Sequence, residues 1–141
     1  MYLCETPASC VAEALLPFRG RPFRPPMLRR GGRPLALCRY RLARRAALLD
    51  LDDPAILADL GLRPSEVATR DRERTQAQAR RLFAERPAAA GLRWWSPVES
   101  SWINATLFQD RAEPHLSAGP LRELGPGDPV VAEAVRLLGM G

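Results

Sequence analysis

Three side chains in this 141-residue sequence have the types and spacing from which a site could be built. Tyr2 lies in the short apolar segment Met1–Cys4. Glu13 follows eleven residues later on a helical pattern, and Ser96 ends the aromatic segment Gly91–Ser96. A tyrosine ring can stack on a flat heterocycle. A carboxylate can oppose a positive charge that develops in a reaction. A serine hydroxyl can donate or accept a hydrogen bond. By pattern alone each has a plainer role: a core tyrosine, a surface glutamate on an amphipathic helix, a serine at a strand end. His115 is the single histidine, on a proline-flanked loop, so a His-centred triad or a His-rich metal site would have to be built around it alone. Cys4, Cys10 and Cys38 lack metal-like spacing and read as reduced, small apolar residues. No Gly-x-Gly-x-x-Gly follows a strand, Gly31-Gly32 is not a phosphate-binding fingerprint by itself, and no Walker motif occurs.

The elements that must position these residues follow from periodicity. Met1–Cys4 can begin a strand. Thr6-Pro7 predicts a helix start, with Thr6 as cap and Pro7 in the first turn. That helix runs to about Leu16, with Ala8, Val11, Ala12 and Leu15 on one face and Glu13 off its centre. Arg19–Pro34 reads as a long basic loop. Leu35–Leu42 alternates as a strand, and Ala46–Leu51 reads as a buried one. Asp53-Pro54 caps a short helix to Leu60, closed by Gly61. Arg70–Arg86 is the clearest helix, stopped by Pro87. Leu92–Ser96 and Ala105–Phe108 are β-prone. Leu121–Gly127 reads as a turn region, and Asp128-Pro129 opens a terminal helix through Leu138. Strands and helices mix without a regular βαβ rhythm, which predicts an α+β fold.

Five pieces in this order resemble the RES domain, a bacterial family named for Arg, Glu and Ser. They are Tyr2 through Glu13, Leu48–Leu51, the charged helix Arg70–Ala84, Gly91–Ser96 and Leu107–Ala112. The resemblance covers residues 1–112, leaving 113–141 as a C-terminal extension with a terminal helix. It implies an ADP-ribosyltransferase-like mixed sheet core with flanking helices and a cleft that holds NAD. It implies a toxin of a two-gene module that destroys NAD or transfers its ADP-ribose. The partner would be an Xre-type helix-turn-helix antitoxin. Carried over residue by residue, Glu13 and Ser96 take catalytic positions and Tyr2 a position on the nicotinamide. NAD is then a substrate, and no metal is implied. The family's diphosphate-binding arginine lies roughly ten residues before the tyrosine, where it would grip the diphosphate with two hydrogen bonds. This sequence begins at Met1-Tyr2, so the expectation is an N-terminally truncated domain that is inactive or nearly so. Arg19, Arg21, Arg24, Arg29 and Arg30 are the candidate substitutes. Trp94 stands where many members have Tyr, and Trp95 where many have Pro.

Composition sets the bounds. One domain's length, 46% apolar and 26% charged residues suit a globular protein. No run of about 18 apolar residues exists to span a membrane. Glu5 and Glu13 interrupt the N-terminal apolar run, so no secretory signal is read and the expected compartment is the cytoplasm. The sequon Asn104-Ala105-Thr106 is then without consequence. All 21 basic residues are arginine and the net charge is +5, with ten arginines between Arg19 and Arg45. Such a stretch attracts phosphates or an acidic partner. Two other classes therefore stand beside the enzyme: a catalytically dead module that still binds the antitoxin, and a nucleic-acid binder. Only Phe23 and Tyr40 interleave with the arginines, which gives single strands little to stack on. A homodimer is compatible with all three.

Overall fold

The computed structural model describes residues Met1–Gly141. In chain order its elements are β1 (Tyr2–Cys4), α1 (Pro7–Leu15), β2 (Arg29–Arg30), β3 (Arg33–Pro34), β4 (Ala36–Leu42), β5 (Leu48–Asp50) and α2 (Pro54–Asp59). There follow α3 (Pro64–Val67), α4 (Arg72–Glu85), β6 (Gly91–Trp95), β7 (Ile103–Leu107), α5 (Gln109–Ala112), β8 (Leu116–Glu123) and α6 (Pro129–Leu137). This is an α+β arrangement with a mixed sheet. The contacts divide the chain into two compact units: Met1–Glu5 with Arg41–Ser117, and Thr6–Tyr40 with Ala118–Gly141.

The first unit is built on a four-stranded sheet in the order β1-β7-β6-β5. β1 and β6 run antiparallel to β7, while β5 runs parallel to β6. A parallel pair needs a long crossover, and here α2, α3 and α4 supply it. Leu57, Leu60, Val67 and Leu82 of that crossover pack with Leu92 and Phe108 into one core cluster. A second cluster gathers Ala46, Ala90, Leu107 and Ala112, with Leu3 and Leu48 against it. Gly91 leaves no room for a side chain: a Cβ there would meet the Thr106 carbonyl oxygen at 2.4 Å. Arg111 closes the end of α4. Its guanidinium donates to the carbonyls of Phe83, Arg86 and Ala89 and lies 3.8 Å from the centre of the Phe83 ring. The Arg-Ala end of the last family-like piece is therefore a structural clamp.

In the second unit α1 packs along α6. Both helices bury small residues: Ala8 and Ala12 on α1, Ala134 on α6. Both helices begin as the sequence requires. The Thr6 hydroxyl accepts from the Ser9 amide at 3.1 Å, and the Asp128 carboxylate accepts from the Val130 amide at 3.0 Å. β4 pairs with β8 in a two-stranded ribbon.

Three sequence expectations need correction. Arg19–Pro34 is not a plain loop. It holds a 3₁₀ turn at Pro25–Leu28 and the β2–β3 hairpin, closed by Gly31 and Gly32 at φ 53° and 77°. Two successive positive φ angles make the turn that glycine pairs favour in hairpins. Leu121–Gly127 is not all turn, because β8 extends through Glu123. Gly119 and Pro120 conceal a strand that is tolerated because the ribbon is exposed on its edges. The buried strand Ala46–Leu51 shrinks to Leu48–Asp50, half-buried along its length.

Candidate functional site

Register decides which side chains share a face of the four-stranded sheet, since partners across strands point the same way. Tyr2, Thr106 and Leu92 form one row; Cys4, Asn104 and Trp94 form the next on the same face. Tyr2 and Trp94 meet there with ring centres 6.0 Å apart, tilted by 60°. The Ser96 amide donates to the Trp102 carbonyl at 2.7 Å, which carries the β6–β7 ladder one residue further. Alternation then puts Ser96 on the side of Trp94. Its hydroxyl accepts from the Val98 amide at 3.1 Å, and the residue is buried. Of the residues expected from sequence, Tyr2 and Ser96 thus stand on one face of one sheet. Tyr2 is half exposed.

Asn104 is the residue on this face that the sequence reading passed over. It is 1% exposed, and neither its carboxamide oxygen nor its nitrogen has a hydrogen-bond partner. A buried polar group left unmet costs about 1–3 kcal/mol, so native proteins keep few of them without a reason. The available signal was an asparagine directly before the β-prone Ala105–Phe108, since strands are depleted in that residue.

Glu13 belongs to the second unit. It stands half-buried on α1, between fully buried Ala12 and half-buried Ala14. The candidate substitute arginines are also in this unit, in a stretch with no carboxylate between Glu13 and Asp50. Two of them already hold backbone. Arg30 donates to the Ala14 carbonyl at 2.7 Å, and Arg29 donates to the Gly32 carbonyl. Arg19, Arg21 and Arg24 are exposed. A depression of about 290 Å³ in this unit is lined by Pro25, Pro26, Leu28, Pro34 and Leu124, with Arg29 its only charged lining residue. It has no carboxylate or hydroxyl lining with which to hold a ribose.

The opposite face of the sheet carries the row Leu3, Ala105, Arg93, Asp50. Arg93 pairs with Asp50 at 2.8 Å and approaches Glu5 at 3.9 Å. His115 accepts at Nδ1 from Arg45 at 3.2 Å. Two carboxyls are held below the usual carboxylate range, both at helix starts. The Arg63 amide, and then Arg74, lower Glu66; the Arg122 guanidinium, and then the Val130 amide, lower Asp128. No group of three or more His, Cys, Asp or Glu side chains is placed to hold a metal ion. No helix is long and apolar enough to cross a membrane.

The model of the RES domain family matches residues 1–124 of the chain. No curated protein and no solved structure matches it.

Proposed function

The chain belongs to the RES domain family, and from that membership we propose that it binds NAD and breaks the bond between nicotinamide and ribose. Nicotinamide leaves with the electron pair of that bond. The ribose carbon passes through an oxocarbenium-like state and is captured by a nucleophile, which completes either NAD degradation or ADP-ribosyl transfer. Glu13 supplies the carboxylate that opposes the developing positive charge and holds a ribose hydroxyl. Tyr2 stacks on the nicotinamide ring. Ser96 donates a hydrogen bond to the ribose or the amide. The core has the ADP-ribosyltransferase-like layout, and the protein acts in the cytoplasm as the toxin partner of an Xre-type helix-turn-helix antitoxin.

The observation that carries this reading is the family match, which takes in Tyr2, Glu13 and Ser96 in one continuous segment. The half-exposed Tyr2–Trp94 pair on the face of Ser96 supports it, because a flat ligand needs an accessible ring.

The test is NAD content in cells that express the protein or its Glu13→Gln variant. NAD falls in cells making the unmutated protein. Glu13→Gln slows that loss by on the order of 10²–10³, the usual effect of removing one stabilising group from a transition state. Equal NAD loss with Glu13→Gln overturns the role of Glu13. Constant NAD with the unmutated protein overturns the activity.

A further inference from the structure

We infer that the Asn104 carboxamide recognises the carboxamide of nicotinamide, an inference that rests on the NAD reading above. The side chain is almost wholly buried, and both its oxygen and its nitrogen lack a partner. It lies in register between Cys4 and Trp94, on the sheet face that carries the Tyr2–Trp94 ring pair and Ser96. A primary carboxamide offers one acceptor oxygen and two N–H donors. Two carboxamides are therefore complementary to each other: each donates one N–H to the other's oxygen. Nicotinamide presents that group on a flat ring, the part that the neighbouring aromatic pair suits. The amide is closed off from solvent, so binding requires the groups over it to move aside, and side-chain rearrangement is common at binding surfaces.

A buried water is the rival partner, and the two differ in what happens when the amide is removed. If the amide is an orphan awaiting ligand, an apolar residue of similar shape leaves the ligand-free fold at least as stable and abolishes recognition. If a water or another structural partner holds the amide, the same change lowers stability.

The experiment titrates the full chain with nicotinamide, nicotinate and 3-acetylpyridine, followed by NMR, and compares it with Asn104→Leu. Nicotinate and 3-acetylpyridine keep the ring and an acceptor but lack the amide N–H. The unmutated chain binds nicotinamide about tenfold or more tightly than either analogue, since a site built to pair a polar group rejects a ligand that lacks it. Asn104→Leu loses that preference, and its ligand-free form unfolds at the same temperature or higher. Three results overturn the inference: equal binding of nicotinamide by both proteins, no preference in the unmutated chain, or a less stable or unfolded Asn104→Leu. No nicotinamide binding by the unmutated chain overturns the NAD reading as well, whereas equal binding by both proteins removes Asn104 alone.

Discussion

On one face of the four-stranded sheet a charged group has ion-pair partners and solvent, and on the other a neutral one has neither. Arg93 sits across from Asp50 and near Glu5, and all three side chains keep substantial solvent contact. One strand over and one residue along, Asn104 has neither solvent nor partner. A guanidinium is far costlier to bury than a carboxamide. Accordingly the guanidinium keeps both partners and water, while the amide is the group buried bare. The difference teaches that the folded chain itself supplies partners to Arg93, while Asn104 is the one polar group on its face that the fold leaves unmet, the place where the inferred ligand would enter. That contrast rests on strand register, so it breaks wherever the register can be shown wrong.

The largest expected effect tests the register itself. Gly91 lies in the row of Leu48 and Leu107, on the Arg93 face. The smallest side chain placed there would have its Cβ 2.4 Å from the Thr106 carbonyl and 3.0 Å from the Leu107 Cα. Backbone in the middle of a sheet cannot yield that distance without breaking the ladder. Gly91→Ala therefore abolishes a stable fold, seen as loss of the cooperative urea transition. An unchanged midpoint would mean that β6 and β7 do not pair in this register, and the two faces would have to be reassigned.

Next in size is the packing behind the Asn104 face. Leu82 of α4 is fully buried in the cluster that includes Leu92, with Trp94 packed against it. Leu82→Ala leaves a cavity there and costs about 3 kcal/mol in urea denaturation. Because that cluster supports Trp94, the variant also loosens the ring against which Tyr2 rests. A cost under about 1 kcal/mol would show that α4 is not seated on this face.

How much of this was legible in the sequence depended on distance along the chain. Helix starts were legible because a cap and a proline act within one turn: Thr6-Pro7, Asp53-Pro54 and Asp128-Pro129 each open a helix. The family-like segments were legible because each is a short local pattern. The hairpin at Gly31-Gly32 was hidden by the surrounding arginines and prolines, although its glycine pair carried the signal. β8 was hidden more deeply, since an exposed strand holding Gly119 and Pro120 has neither alternation nor a strong β former to reveal it. That Tyr2 and Ser96 share a face could not be read locally, because it needs the pairings Tyr2–Thr106 and Thr106–Leu92 across about a hundred residues. The unmet amide of Asn104 is of the same kind: a sequence shows a polar residue in a strand but not whether anything reaches it.

The smallest expected effect sharpens the comparison most. Arg93→Gln removes the charge that Asp50 and Glu5 face but keeps much of the side chain's length. Their side chains retain 33%, 41% and 59% of full exposure, for Arg93, Asp50 and Glu5 in turn. Water therefore screens the pair, and exposed ion pairs are worth about 0–1 kcal/mol. The loss should lie below about 1 kcal/mol in low salt. It should shrink further in about 1 M salt, where the screening length falls to about 3 Å. Nicotinamide binding should not change, because Arg93 points away from the Tyr2, Trp94 and Asn104 rows. The informative comparison is with Asn104→Leu in the same titration: one variant gives up a little stability and no recognition, the other gives up recognition and no stability. If Arg93→Gln weakened nicotinamide as much as Asn104→Leu, the ligand would be reaching both faces, and the contrast between the partnered Arg93 and the unmet Asn104 would fail.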